Sequence, residues 1–169
     1  SSNATNKKCA EVLGLISAYC ANGVAAVLAA GAVPALTAIL RNSGSSNATK
    51  KKCADVLGRM ISENSADGAA AVLAAGAVPV LTAILRDSGS SGVTKGWCAA
   101  AMGSISAQSA DGAAAVVAAG AVPVLTATLR DSGSSVVTKN CAATLGKIST
   151  QSADGAAAVL AAGAVPVLT

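Results

Sequence analysis

The 169-residue sequence contains no histidine and no phenylalanine, one tryptophan and one tyrosine. Without histidine the commonest general base and the commonest metal ligand are missing. Charge is scarce as well: Asp, Glu, Lys and Arg make up 12%, against about a quarter in an ordinary soluble domain. The surface must therefore be dominated by Ala, Ser, Thr and Gly. The apolar fraction is 53% and the mean hydropathy +0.60. Even so, Gly, Pro, Asp or Lys interrupts every apolar run before the roughly 18 residues of a membrane span. Paired carboxylates, phosphate-cradling glycine loops and nucleophile–base arrangements are also lacking, so no enzyme, metal or cofactor is expected. The net charge of +4 is mild and does not by itself argue for nucleic acid.

What is present is repetition. "SADGAAAVLAAG" starts at Ser65 and returns unchanged from Ser152, with "SADGAAAVVAAG" from Ser109 and the looser "CANGVAAVLAAG" from Cys20. Pro34, Pro79, Pro123 and Pro166 are 45, 44 and 43 residues apart, and Cys9, Cys53, Cys98 and Cys141 are 44, 45 and 43 apart. Both series report one unit of about 44 residues, a period that belongs to helical solenoids. The units run 1–44, 45–89, 90–133 and 134–169, the last truncated. The four cysteines of the ladder, one per unit, read as small buried fillers rather than a disulfide framework. Cys20, standing where other units have Ser, is left as a free thiol or an intermolecular link. The chain opens on "SSNAT" without Met and stops inside a unit, so a segment of a longer array is expected.

The second unit shows three helical stretches. Cys53, Val56, Leu57, Met60 and Ile61 fall at i, i+3, i+4, i+7 and i+8, the stripe of an amphipathic helix. Thr49 and its equivalents Thr5, Thr94 and Thr138 are the expected N-caps. "SADGAAAVLAAG" then forms a short helix, capped by Ser65 or Asp67 and stopped by Gly76 at positive φ. "AVPVLTAILR" starts a third helix with Pro79 in its first turn and Arg86 in its last, as Arg41 and Arg130 do elsewhere. Alanine has the best helix propensity and permits close helix packing, which suits a motif copied along a stack.

Three helices per unit with a Gly–Pro corner resemble the armadillo repeat. "VLAAGAVPALTAIL" (residues 27–40), "VLAAGAVPVLTAIL" (72–85) and "VVAAGAVPVLTATL" (116–129) look like that family's first-to-second helix signature. "CAEVLGLIS" (9–17) and "CAATLGKIS" (141–149) resemble its third helix. The resemblance covers the whole chain and implies an all-α, right-handed α-solenoid of about four three-helix repeats. It also implies a peptide-binding ladder on the third helix, with an Asn gripping the peptide backbone and a Trp one turn earlier. Those Asn positions are occupied here by Leu15, Arg59, Ser104 and Lys147, and the Trp positions by Glu11, Asp55, Ala100 and Ala143, so neither ladder is present. Trp97 stands beside Cys98, off that rung.

Candidate concave-face contacts are Lys8, Leu15, Lys52, Arg59, Lys95, Ser104, Lys139 and Lys147. The lysines belong to a basic series near the start of each third helix, readable as a solvated face or as a row of cations for an acidic partner. No aromatic platform accompanies them, which disfavours nucleic acid. Asn3 and Asn47 head Asn-Ala-Thr triplets that fit the N-glycosylation pattern. Attached glycans would lean the chain toward the cell exterior, with the cytoplasm as the alternative. Two non-catalytic roles are expected. One is a structural array whose copies stack end to end into a fibre. The other is an intracellular scaffold binding a protein partner on the concave third-helix face.

Overall fold

The computed structural model describes residues 3–20, 22–63 and 65–168. All regular structure among them is helical. Four 17-residue helices recur: α1 (Asn3–Tyr19), α4 (Asn47–Glu63), α7 (Gly92–Gln108) and α10 (Ser135–Gln151). Each is followed by a short helix: α2 (Gly23–Ala29), α5 (Ser65–Ala74), α8 (Ala110–Ala118) and α11 (Ala153–Ala161). A third helix closes each unit: α3 (Ala32–Arg41), α6 (Ala77–Arg86), α9 (Ala121–Asp131) and α12 (Val165–Leu168). The long helices stack in order, α1 on α4, α4 on α7 and α7 on α10, and the shorter helices pack along them.

The apolar stripe of α4 is fully buried: Cys53, Val56, Leu57, Met60 and Ile61 are each 0% exposed. The core continues through Leu81, Met102, Ile105, Leu125, Leu145 and Ile148, aliphatic throughout. Where long helices cross, one partner is small. A Cβ on Gly58 would lie 3.6 Å from Ala101 Cα, and Gly103 faces Thr144, whose Oγ1 donates to Ala99 O at 2.7 Å. Small residues thus bring the backbones close enough for a side chain of one repeat to bond the backbone of the next.

The Gly–Pro corner forms as expected. Gly31, Gly76, Gly120 and Gly163 have φ of 68°, 63°, 66° and 65°, the left-handed region where only glycine is unstrained. The flanking helices bend there by 75° (α2–α3), 70° (Asp67–Ala74 against α6) and 76° (α8–α9). Among the described residues no single helix is long and apolar enough to cross a membrane.

A second glycine explains the constancy of the repeated phrase. Gly23, Gly68, Gly112 and Gly155 are all buried, and a Cβ on any of them would collide with a backbone carbonyl of the preceding long helix. Those carbonyls belong to Ile16, Met60, Ile105 and Ile148 respectively. The serine before this glycine is the cap. Ser109 Oγ accepts from Gly112 N at 3.0 Å and Ser152 Oγ from Gly155 N at 2.9 Å, while Asp111 and Asp154 stay exposed. The Ser65 side chain lies outside the described residues.

The threonine caps need correcting. The long helices start earlier, and Ser91 is the N-cap of α7, its Oγ accepting from Thr94 N at 3.2 Å; Ser46 Oγ accepts from Thr49 N at 3.3 Å. Thr5 is exposed and Thr138 half-buried, Val137 taking the buried position in α10, whereas Thr49 and Thr94 sit inside the first turn at 0% and 1% exposure. Their hydroxyls bond across repeats instead, Thr49 Oγ1 to Asn3 Oδ1 at 2.9 Å and Thr94 Oγ1 to Asn47 O at 3.1 Å. The serine three residues upstream takes the cap because the buried threonine is already committed to its neighbour.

Candidate functional site

Because α1, α4, α7 and α10 lie side by side, their solvent-facing residues form one continuous face. Between α4 and α7 this face opens into a pocket of about 170 Å³. Trp97, Asp55, Arg59, Ser62, Ala100 and Ser104 line it. The floor is shallow because Gly58 and Ala101 bring the two helices together. Ser62 Oγ and Ser104 Oγ are 3.3 Å apart across the two helices. Trp97 packs partly on the core, and Lys51 Nζ lies 5.8 Å from its ring centroid, a cation–π contact worth about 0.5–1 kcal/mol at a surface.

Trp97 is the residue that sequence reasoning set aside. It stands three positions before Ala100, so it shares a helix face with the rung one turn further along. That spacing was the available signal. The face now has one aromatic wall, at the junction of the second and third repeats.

The other candidates divide into three groups. Lys8 and Lys7 reach Glu11 at 3.4 and 3.9 Å, and Lys8 remains 78% exposed. Such surface pairs contribute little. Lys52 pairs with Asp55 at 3.3 Å, and Arg59 Nε lies 3.7 Å from the same carboxylate. Arg59 Nη2 also donates to Gly14 O at 2.8 Å, so this side chain braces α4 against α1. Its Nε is buried with no hydrogen-bond partner. Leu15, at 56% exposure, and Lys139 and Lys147 are open on the face, and the two lysines make no ion pair among the described residues.

Lys95 does not join them. It is half-buried and lines a different cleft, together with Arg86. The cations therefore form two sets rather than one row. Among the described side chains of the long-helix face, Lys7, Lys8, Lys51, Lys52, Arg59, Lys139 and Lys147 outnumber Glu11 and Asp55.

The two asparagines of the Asn-Ala-Thr triplets hold neighbouring repeats together. Asn3 Oδ1 accepts from Ser46 N at 3.1 Å; Asn47 Oδ1 accepts from Ser91 N at 2.9 Å, and Asn47 Nδ2 donates to Gly89 O at 3.1 Å. The three ladder cysteines inside the stack are buried, and burial pushes the Cys53 and Cys98 thiols up to about 12 and Cys141 to about 11. At neutral pH they are protonated and unreactive. Cys9 and Cys20 are exposed. The described residues contain no group of three or more Cys, Asp or Glu placed to hold a metal ion.

Residues 109–150 match the Armadillo/beta-catenin-like repeat. No curated protein matches the sequence. Among solved structures the chain is similar to an engineered protein from the Northeast Structural Genomics Consortium. That match has a TM-score of 0.89 and 28% identity, and covers 99% of this chain and 65% of that one. A second similar structure is of computationally designed armadillo repeat proteins for modular peptide recognition (TM-score 0.87, 23% identity, 99% of this chain, 68% of that one). A third is a designed armadillo repeat protein in complex with the peptide (KR)4 (TM-score 0.84, 20% identity, 95% of this chain, 64% of that one). The chain spans 65% of the length of two engineered structures it matches and 39% of another.

Proposed function

The chain is an armadillo-like α-solenoid, and we propose that it is a non-catalytic scaffold whose long-helix face binds an extended, acidic segment of a protein partner. The observation that carries this reading is the pocket between α4 and α7, walled by Trp97 on a face where cations outnumber carboxylates. The same fold in designed proteins serves peptide recognition, one of them in complex with the basic peptide (KR)4. The charge excess here favours the opposite sign of ligand. With no Asn at the ladder positions, the grip comes from side chains: Trp97 as apolar anchor, and Lys51, Lys139 and Lys147 as cations open to solvent.

Trp97 is the only tryptophan, so its emission reports this pocket selectively. Titration with an acidic peptide of alternating Glu and Ser carrying a central Leu is expected to shift that emission saturably. Ala100→Glu, which fills the pocket with a carboxylate, is expected to weaken binding about tenfold or more. An unmoved emission at saturating peptide contradicts the assignment of the pocket.

A second reading, end-to-end association of copies, is favoured by one comparison. Val12 is 46% exposed on α1, whereas Val56 and Thr144, its equivalents inside the stack, are 0% and 1% exposed. Leu15 and Tyr19 beside it are 56% and 83% exposed, and Leu160 and Val165 at the other end are 63% and 47%. Head-to-tail contact would bury Val12 and Val165 as Val56 and Val122 are buried between repeats, and being heterologous it would extend into a fibre. Light scattering should show mass rising with concentration into the high micromolar range; a constant monomer mass refutes it. A glycan is carried on Nδ2, so one on Asn47 would crowd its bond to Gly89 O, whereas Asn3 bonds through Oδ1; the intact mass of natively sourced protein decides their presence.

A further inference from the structure

Two clefts, one repeat apart and separate from the Trp97 pocket, lie between successive closing helices. The first, about 370 Å³, sits between α3 and α6 beside the start of α4 and is lined by Arg41, Lys50 and Asp87 against Pro79 and Val80. The second, about 680 Å³, sits between α6 and α9 beside the start of α7 and is lined by Arg86, Lys95 and Asp131 against Pro123 and Val124. The two sets match position for position in the repeat, so each cleft presents two cations, one carboxylate and the same apolar wall.

The cleft lysines are held without a direct ion pair. Lys50 and Lys95 are both half-buried, and neither has a carboxylate within ion-pair distance among the described residues. The Asp87 carboxylate accepts Ser90 Oγ at 2.8 Å and Gly89 N at 3.0 Å in its own loop, and these bonds, with the charges of Lys50 and Lys95 further off, hold it below the usual carboxylate range. Arg86 uses Nη2 on Gly120 O at 3.1 Å, leaving further guanidinium donors for a ligand. Each lining set carries two cations and one carboxylate, a balance that favours an anionic ligand. That this happens at equivalent positions of two clefts points to a periodic anionic ligand.

We propose that these clefts form a second binding track, independent of the long-helix face, for an extended acidic peptide. One carboxylate enters each cleft between its Arg and Lys, and a small apolar side chain rests on the Pro–Val wall. Packed helices lie about 8–10 Å apart and an extended chain advances about 3.3 Å per residue, so the carboxylates recur about every third residue.

The test uses a fluorescein-labelled twelve-residue peptide, (Glu-Val-Gly) repeated, followed by polarisation against the whole chain. Saturable binding is expected, with the (Gln-Val-Gly) peptide binding about tenfold or more weakly. Lys95→Gln is expected to cost about fivefold to tenfold. Ala127→Glu, at an exposed position lining the second cleft, supplies a competing carboxylate and should abolish binding there with the helical circular dichroism unchanged. In the Ala100→Glu background, which blocks the long-helix face, saturable binding and its loss with Ala127→Glu should both persist, and this separates the track from that face. The proposal is overturned by absence of saturable binding, by equal binding of the Gln peptide, or by an affinity in the Ala100→Glu background that Lys95→Gln and Ala127→Glu leave unchanged.

Discussion

One chemical change, glycine to alanine, is expected to have opposite effects at two helical positions. At Gly112 an added Cβ would run into the Ile105 carbonyl at the end of α7. A backbone oxygen cannot rotate away, so α8 must shift as a unit. Forcing an atom into such a site costs about 1–3 kcal/mol. The shift also strains the Ser109 cap, whose Oγ holds Gly112 N at 3.0 Å, worth about 1 kcal/mol. The helix-propensity gain of alanine returns at most about 1 kcal/mol, so the net loss is about 2 kcal/mol. Gly146 lies mid-α10, exposed, with nothing within 4 Å of its added Cβ. There only the propensity term acts, and Gly146→Ala should stabilise by about 0.5–1 kcal/mol. For a chain of this size 1 kcal/mol moves Tm by roughly 2–4 °C. Circular dichroism melts should therefore show Gly112→Ala lower than wild type by about 4–8 °C and Gly146→Ala higher by a few degrees. A Gly112→Ala protein melting at or above wild type refutes the claim that the repeated phrase is held constant by backbone contact between α8 and α7.

Further outcomes follow from the same contacts. Asn47→Ala removes two bonds to the loop that leads into the third repeat, Oδ1 from Ser91 N and Nδ2 to Gly89 O; a fall in urea-denaturation stability of about 1 kcal/mol is expected, and an unchanged midpoint would show the clasp to be idle. Native alkylation followed by mass measurement should label Cys9 and Cys20 alone, with Cys53, Cys98 and Cys141 reacting after unfolding. Those three thiols ionise in the unfolded chain near their ordinary value of 9.0 but in the folded chain only at about 11–12. The unfolded state thus loses protons first as pH rises, and stability present below about pH 9 declines above it by up to about 1.4 kcal/mol per pH unit per thiol. Urea midpoints compared between about pH 8 and pH 10 for wild type and the triple Cys→Ala variant check this: the variant should fall less steeply, and equal slopes contradict it.

Periodicity within one helix was legible in the sequence; contacts between repeats were not. The stripe from Cys53 to Ile61 and the left-handed glycines Gly31, Gly76, Gly120 and Gly163 needed only local rules, and they formed as read. The cap did not, because serine and threonine at the start of the long helices both suit it locally. The decision lies with Asn3 and Asn47 of the preceding repeat. Gly112 and its equivalents look like permissive helix positions until the Ile105 carbonyl is placed against them. The cations were separable in principle: Lys50 and Lys52 stand two residues apart, about 200° around the helix. One faces the cleft with Arg41 and the other pairs with Asp55. Trp97 was missed because it was compared with a family rung rather than with the face it shares with Ala100.

The claim that the long-helix face receives an acidic partner is tested most directly by selecting a random twelve-residue peptide library on the immobilised chain, with the Ala100→Glu variant as counter-selection. Enrichment of acidic peptides that shift Trp97 emission and lose affinity for the variant is the predicted result. Peptides that bind both proteins equally and leave Trp97 emission unmoved, or no enrichment at all, would contradict it.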